Sequence, residues 1–343
     1  MQVEQFPDRE IQVGGKLYRY FGGTAYLGLP THPQFQELLI KNIIRWGTAY
    51  GSSRNSNIKL SAYDNAELFL ASFIKAKAAL TVSSGMLAAK LVLEELSHNN
   101  NCFYHFPNIH AALKIVNSQP FYIDNQLNPC LLNNITEKIT ILVDSVPTFQ
   151  TKPIDFSILE MISKSKEITL VIDESHSLGL LGINGCGLYS NISLLYIKRK
   201  IMIASLGKAF GLTGGVIASD IEFINKIKNL DTFISSAGIN AAFAQTIAEA
   251  GSIYSEQHKR LKENLIYLGS KLSKNKAIQF DMGYPLIYPK TKGINEILLA
   301  NDIIITNFKY PLLDQELNRI VITANHLKQD LDALILILNH HQM

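Results

Sequence analysis

The stretch from Ile201 to Asp220, IMIASLGKAFGLTGGVIASD, decides how this 343-residue chain is read. Ile201 to Ala204 is a short apolar run with the character of a buried strand. It ends in Ser205, Leu206 and Gly207, a turn-prone handover that lets backbone approach a ligand. Lys208 follows at once, and Gly211, Thr213, Gly214 and Gly215 keep the next turns small before a second apolar run, Val216 to Ala218. A lysine delivered by a buried strand is short of solvent and open on one side. That condition lowers an amine pKa and makes the group a nucleophile toward carbonyls. A helix-start lysine on a rim accounts for the same letters about as well, because most lysines are exposed.

Working outward, the residues from Ala78 alternate short apolar strands with helices, the pattern of a mainly parallel sheet. Ala79 to Val82 reads as a strand, Ser83 to Gly85 as a turn and Met86 to Leu96 as a helix. A Ser-Ser-Gly handover exposes free amides at a positive helix end, a seat for phosphate; it is equally an ordinary serine N-cap. Asn108, Ile109 and His110 open a helix expected over Ala111 to Val116, with His110 either a cap or core residue or a ligand contact. Thr140 to Val143 is a strand ending in Asp144, and Pro153 to Ser165 reads as loop and helix. Ile168 to Ile172 is a strongly apolar strand that delivers Asp173, Glu174, Ser175 and His176 at its carboxyl end, where open parallel sheets bind ligands. A buried acid there needs a cationic partner or it takes up a proton.

The flanks are plainer. Met1 to Tyr20 is polar, with a hairpin through Gly14 and Gly15. The spacing predicts a helix over Gln34 to Trp46, a loop over Tyr50 to Asn57, and a helix over Asp64 to Ile74 with Leu68, Phe69 and Phe73 on one face. Ala241 to Leu272 reads as one long helical segment, with Gln257 to Asn264 as its solvated face. Glu296 to Asn301, Ile303 to Thr306 and Arg319 to Ala324 suggest a small helix-and-strand layer, closed by a helix over Asp330 to Asn339. The pattern shifts near Asn229, giving an N-terminal segment over 1–45, a large domain over 46–229 and a small C-terminal domain over 230–343. There is no internal repeat and no low-complexity linker.

Composition narrows the class. Hydrophobic residues make up 47% and charged residues 18%, enough for a sizeable core. A net charge of +3 with no basic block argues against nucleic acid or an anionic membrane as partners. No segment has the pattern of a signal peptide or the length of a membrane span, so a cytoplasmic protein is expected. Cys102, Cys130 and Cys186 are an odd number with no metal-ligand spacing, so neither a disulfide framework nor a metal site is expected.

An anion seat, a buried acid and a buried amine at three strand ends suit pyridoxal 5'-phosphate, which carries a phosphate, a pyridine nitrogen and an aldehyde that condenses with a lysine. The order Ser84–Gly85, Asp173 with His176, then Lys208 resembles the fold-type I pyridoxal-phosphate enzymes. The segments GGTAYLGL, SSGMLAAKLVLEEL, NIHAAL, VIDESHSLGLLGINGCG, SLGKAFGLTGGV and RIVITANH, from about Phe21 to about His326, are similar to the alpha-oxoamine synthases. The resemblance implies an aspartate aminotransferase-like α/β fold, with a mainly parallel central sheet and a small C-terminal α+β domain. It implies an acyltransferase joining an amino acid to an acyl thioester, from CoA or acyl carrier protein, with loss of carbon dioxide.

Carried over residue by residue, Lys208 would bind the cofactor covalently and move protons at the substrate α carbon. Asp173 would pair with the pyridine nitrogen, His176 and Thr148 would sit near the phenolic oxygen, and His110 would stack on the ring. Ser84, Gly85, Met86 and Ser205 would hold the phosphate. Ser236, in FISSAG, would reach the phosphate of a neighbouring subunit, which implies a homodimer with shared sites. Arg319 would grip the substrate carboxylate, and Tyr26 belongs to the substrate side.

The chain departs from the family pattern in several places. Thr24 and Ala25 stand where Asn and Asp are usual before Tyr26, and Arg54 and Asn55 stand where a loop on the substrate side has small residues. Asp144 stands for a glutamate. These changes keep an aminotransferase, an aldolase-type lyase or a catalytically retired binding subunit of the same fold as alternatives.

Overall fold

A computed structural model gives the structure of the protein and describes residues 1–98, 102–192, 197–272, 277–309 and 316–341. The first hairpin, β1 (Glu10–Val13) and β2 (Lys16–Phe21), turns through Gly14 and Gly15, both at positive φ. The helices α1 (Pro33–Trp46) and α2 (Ser61–Ile74) flank the Tyr50 to Asn57 loop. Next come β3 (Ala78–Val82), α3 (Gly85–Ser97), β4 (Cys102–His105) and β5 (Gln119–Pro120). A small hairpin, β6 (Tyr122–Ile123) and β7 (Gln126–Leu127), and the short α4 (Pro129–Leu132) lead into β8 (Glu137–Asp144). The central strands are completed by β9 (Lys166–Asp173), β10 (Arg199–Ser205) and β11 (Gly215–Ser219). Beyond them lie α5 (Ile221–Lys228), α6 (Asp231–Ser235), α7 (Ala241–Glu249) and α8 (Gly251–Lys271). The chain closes with β12 (Ile278–Phe280), β13 (Leu286–Pro289), α9 (Ile294–Ala300), β14 (Ile303–Lys309), β15 (Glu316–Val321) and α10 (Lys328–His340).

Seven strands form the main sheet in the order β3-β11-β10-β9-β8-β4-β5, and only β11 runs antiparallel to its neighbours. Its central strands are apolar because both faces are covered. Along β10, Ile201 and Ile203 join one hydrophobic cluster while Met202 and Ala204 join the other. The parallel strands all end at the same edge, so Val82, Asp144, Asp173 and Ser205 finish side by side. A second sheet, ordered β1-β2-β14-β15-β13-β12, takes in the first hairpin through parallel pairing of β2 with β14.

Several expectations are corrected. The buried face of α2 is Ala62, Tyr63, Ala66, Leu70 and Ile74, and Leu68 is 71% exposed. The alanines on that face let α2 pack closely on the alanine-rich α7; Phe69 and Phe73 stack on each other at its margin, against the core, and only Leu68 of the three turns to solvent. The helix expected after His110 is a single 3-10 turn, Ala111–Leu113, and Phe156–Met161 is likewise 3-10. Ala241 to Leu272 is two helices that break at Ala250. On α8, Gln257 is fully buried and its amide donates to the Leu27 carbonyl at 2.8 Å, while Asn264 donates to the carbonyls of Thr323 and His326. The polar stretch Gln257 to Asn264 is thus partly an internal tie between segments.

Arg54 turns inward. Its guanidinium donates to Glu67 Oε1 and to the Thr81 carbonyl, both at 2.7 Å, and lies over the ring of Tyr63. Glu67 Oε1 also accepts from the Thr81 amide and hydroxyl, so one ion pair fastens the loop and α2 to β3. Both side chains are nearly sealed from water, and removing one partner of such a pair strands the other charge. Arg54→Ala is expected to lower the unfolding free energy by about 3–5 kcal/mol in urea denaturation; a change under about 1 kcal/mol, the surface-pair range, would contradict this.

Candidate active site

The carboxyl edge of the main sheet opens into a cavity of about 420 Å³. Each strand end contributes through the turn that follows it. After β3, Ser84 caps α3, its Oγ accepting from the Leu87 amide at 3.1 Å. The first-turn amides of Gly85 and Met86, which have no helical partner, stand at the cavity wall. Gly85 and Gly215 are needed by close approach. A Cβ on Gly215 would lie 2.2 Å from the Ser84 carbonyl oxygen, and one on Gly85 would press on Ser205 backbone at 3.0 Å.

After β9, Asp173 and Glu174 divide the work. Asp173 lines the cavity, and its Oδ1 accepts from the Ser175 amide at 2.8 Å. Glu174 points away and is fully buried, accepting from the Leu188 amide at 2.6 Å, the Tyr189 amide at 2.7 Å and the Ser177 hydroxyl at 2.8 Å. Burial still pushes its carboxyl up to about 7. Its three donors close the glycine-rich loop back under His176, which fixes where the imidazole points.

His176 is bridged on both nitrogens. Nε2 is 2.8 Å from Lys208 Nζ, and Nδ1 is 2.8 Å from the Tyr26 hydroxyl. Tyr284 donates to the His176 carbonyl at 3.0 Å. Burial, then the charges of Lys208, Arg319 and His110, holds the imidazole well below its usual range, so the ring is neutral. With Lys208 as an ammonium, Nε2 accepts and the Nδ1 proton is donated to Tyr26. Lys208 itself is lowered to about 8 by burial, with Asp173 and Asp144 pulling it back up.

Asp144 and Asp173 are register partners on adjacent parallel strands. Asp144 Oδ2 accepts from the His110 amide at 2.8 Å, while Oδ1 is buried without a hydrogen-bond partner. Burial first, and then the charge of Asp173, pushes the Asp144 carboxyl up to about 8. His110 is an N-cap, its Nδ1 accepting from the Ala112 amide at 3.2 Å, and it lines the same cavity.

Of the residues singled out in the sequence, Ser84, Gly85, Met86 and Ser205 lie on one side of the cavity. His110, Thr148, Asp173, His176, Lys208 and Arg319 complete the group that it brings together. Tyr26 is fully buried one layer behind the cavity, where its hydroxyl meets His176 and Tyr284. Ser236 lies off this cavity, with its hydroxyl donating to the Thr232 carbonyl. Arg54, as described above, faces Glu67 instead.

The opposite wall was not foreseen. Tyr284, Leu286 and Tyr288 face the cavity together with Phe308 and Leu317, which are register partners on β14 and β15. The alternation in GYPLIYP, residues 283–289, carries the period-two signal that would have placed the first three on one face.

Strand order, the single antiparallel strand and the lysine fed by β10 define a fold-type I pyridoxal-phosphate enzyme fold. The chain belongs to the aminotransferase class I and II family, whose model matches residues 49–338. Its relatives lie on the alpha-oxoamine synthase branch. The 8-amino-7-oxononanoate synthase of Petrotoga mobilis is 27% identical over 94% of this chain and 88% of the relative. The serine palmitoyltransferase of Bacteroides ovatus is 24% identical over 97% of this chain and 90% of the relative. A solved structure of SPT with its PLP internal aldimine superposes with a TM-score of 0.84 at 17% identity, covering 99% of this chain and 91% of that one. Among the described residues no helix is long and apolar enough to cross a membrane.

The lowered amine of Lys208 has a direct consequence. Competitive acetylation of the cofactor-free protein is expected to label Lys208 with a pH midpoint of about 8, since only the neutral amine reacts. A midpoint at the ordinary lysine value of 10.5 would contradict the burial on which the site depends.

Proposed function

We propose that the protein is a pyridoxal-phosphate-dependent acyltransferase that condenses an amino acid with an acyl thioester, from CoA or acyl carrier protein, with loss of carbon dioxide. Formation of 8-amino-7-oxononanoate from alanine and a pimeloyl thioester, a step of biotin biosynthesis, is the particular reaction we assign. The observation that carries the proposal is that the α3 N-terminus, Asp173 and Lys208 meet in one cavity. Relatives on the alpha-oxoamine synthase branch, over nearly the whole chain, supply the reaction class.

The donor set fits the cofactor. Free helix amides and the Ser84 and Ser205 hydroxyls suit a phosphate. Asp173 keeps one oxygen for a protonated ring nitrogen, because only Oδ1 is taken by Ser175. When bound, pyridoxal phosphate supplies an aldehyde that captures an amine and a ring that draws electrons from the substrate α carbon. His110 would lie against the ring, and His176 and Thr148 would hold its phenolic oxygen.

Lys208 would be the amine that anchors the cofactor, and it would carry the proton from and back to the substrate α carbon. Its lowered pKa suits that task, because a base working near neutrality must be able to give its proton up again. Arg319 lines the same cavity, where its guanidinium would grip the substrate carboxylate. Tyr26 acts on the substrate side through His176, whose orientation it sets. The new bond joins the α carbon to the acyl carbonyl carbon as the carbon–sulfur bond breaks, the thiolate leaves and takes a proton from solvent, carbon dioxide is lost, and Lys208 would return its proton to the α carbon. Ser236 serves the phosphate of a second copy, so the working unit is a homodimer with shared sites.

The test is release of free thiol from a panel of acyl-CoA and acyl-carrier-protein donors with alanine, glycine or serine. Alanine with a pimeloyl donor is expected to give the fastest release, and Lys208→Ala to abolish it. No thiol from any pair, together with amino-group exchange on added keto acids, would overturn the assignment in favour of an aminotransferase.

A further inference from the structure

Asp144 has no role in the account so far beyond holding the His110 turn, yet it sits beside Asp173 with half of its carboxylate unused. As register partners on adjacent parallel strands, the two side chains point from neighbouring backbones about 4.8 Å apart. Each is 9% exposed. Each has one oxygen engaged by a backbone amide, from His110 for Asp144 and from Ser175 for Asp173. Among the described residues neither has a cation within ion-pairing distance. The second oxygen of Asp144, Oδ1, is sealed from solvent with no partner.

The charged and titratable groups facing the pair come from every element around the cavity. Lys208 lies beyond β10 and is itself reluctant to carry charge, pushed down to about 8. His176, from the loop after β9, is neutral. His110 comes from the turn before the 3-10 segment, Arg319 from β15, and the hydroxyls of Tyr284 and Tyr288 from the far wall. Two adjacent buried carboxylates that share so little positive charge retain a proton between them. The sealed oxygen is where a proton is most needed, because a charge there is neither hydrated nor hydrogen-bonded.

We propose that Asp144 is a neutral carboxylic acid in the resting site, protonated on the sealed Oδ1, so that the Asp144–Asp173 pair carries one negative charge instead of two. It is a positioning residue: Oδ2 holds the His110 turn, and its neutrality leaves the pair's one charge to Asp173. The use of that charge by a ring nitrogen rests on the cavity taking pyridoxal phosphate as proposed above, whereas the protonation does not. The arrangement divides labour between two acids of like chemistry: one stays charged for a cationic partner because the other has given up its charge.

Infrared spectroscopy of the holoprotein and of the cofactor-free protein tests this. At pH 7 a protonated-carboxyl C=O band that shifts in D2O is expected in both, and Asp144→Asn is expected to remove one carboxyl's share of it. Asp144→Asn is the neutral isostere and keeps an oxygen for the His110 amide, so its affinity for pyridoxal phosphate should stay within about threefold of the parent, whereas Asp144→Ala loses that hydrogen bond and about tenfold in affinity. A band unchanged by Asp144→Asn, or an Asn variant that binds the cofactor as poorly as the Ala variant, would overturn the proposal. If the parent protein bound no pyridoxal phosphate, the proposed function would fail while the infrared band of the cofactor-free protein would still decide the protonation of Asp144.

Discussion

Asp144, Asp173 and Lys208 are three ionisable side chains held in a water-poor notch at the carboxyl edge of one parallel sheet. Charged groups of this kind are expensive to bury, and they persist only where the surrounding structure leaves them no alternative. Strand register does most of that. The pairing of β8 with β9 puts the two acids side by side, and the pairing of β9 with β10 brings the Lys208 turn next to them. Asp144 and Asp173 end strands whose two faces are both packed, and Lys208 stands on the turn that follows a third.

Supporting residues make the notch rigid. Glu174 spends its whole carboxylate on the loop that carries His176, and Tyr26 and Lys208 occupy the two nitrogens of that imidazole. Gly215 and Gly85 allow β11, β3 and the Ser205 turn to approach closely enough for a phosphate-sized seat at the helix end. Arg54 and Glu67 secure the same strand from behind. The second sheet then lays Arg319 and an aromatic wall across the opening, so the cavity is polar at the strand ends and apolar opposite.

The parts of the site that the chain announces are those in which a chemical residue directly follows an apolar run. Lys208 after β10, Asp173 after β9 and Ser84 after β3 are of this kind, because strand ends in a parallel sheet point one way and turn sequence adjacency into spatial convergence. The hairpin at Gly14–Gly15 was legible for a similar local reason. What was hidden depends on pairings between distant segments. Arg54 reads as a loop residue until Glu67 and Thr81 are seen beneath it, 13 and 27 positions on. Gln257 reads as solvated until the Leu27 carbonyl, 230 positions away, receives its amide. On α2, Leu68 reads as a neighbour of Phe69 and Phe73 until the alanines that let two helices approach are seen to take the buried face. Asp144 was visible as a strand end, but its unpaired oxygen and its nearness to Asp173 follow only from register.

The central claim is that the strand-end convergence makes Lys208 the one lysine that binds pyridoxal phosphate covalently. Borohydride reduction of the protein saturated with pyridoxal phosphate, followed by peptide mapping of the modified lysine by mass spectrometry, tests it directly. The account predicts the label on Lys208 at one equivalent per chain; a label on another lysine, or one scattered over surface lysines with Lys208 unmodified, would contradict it.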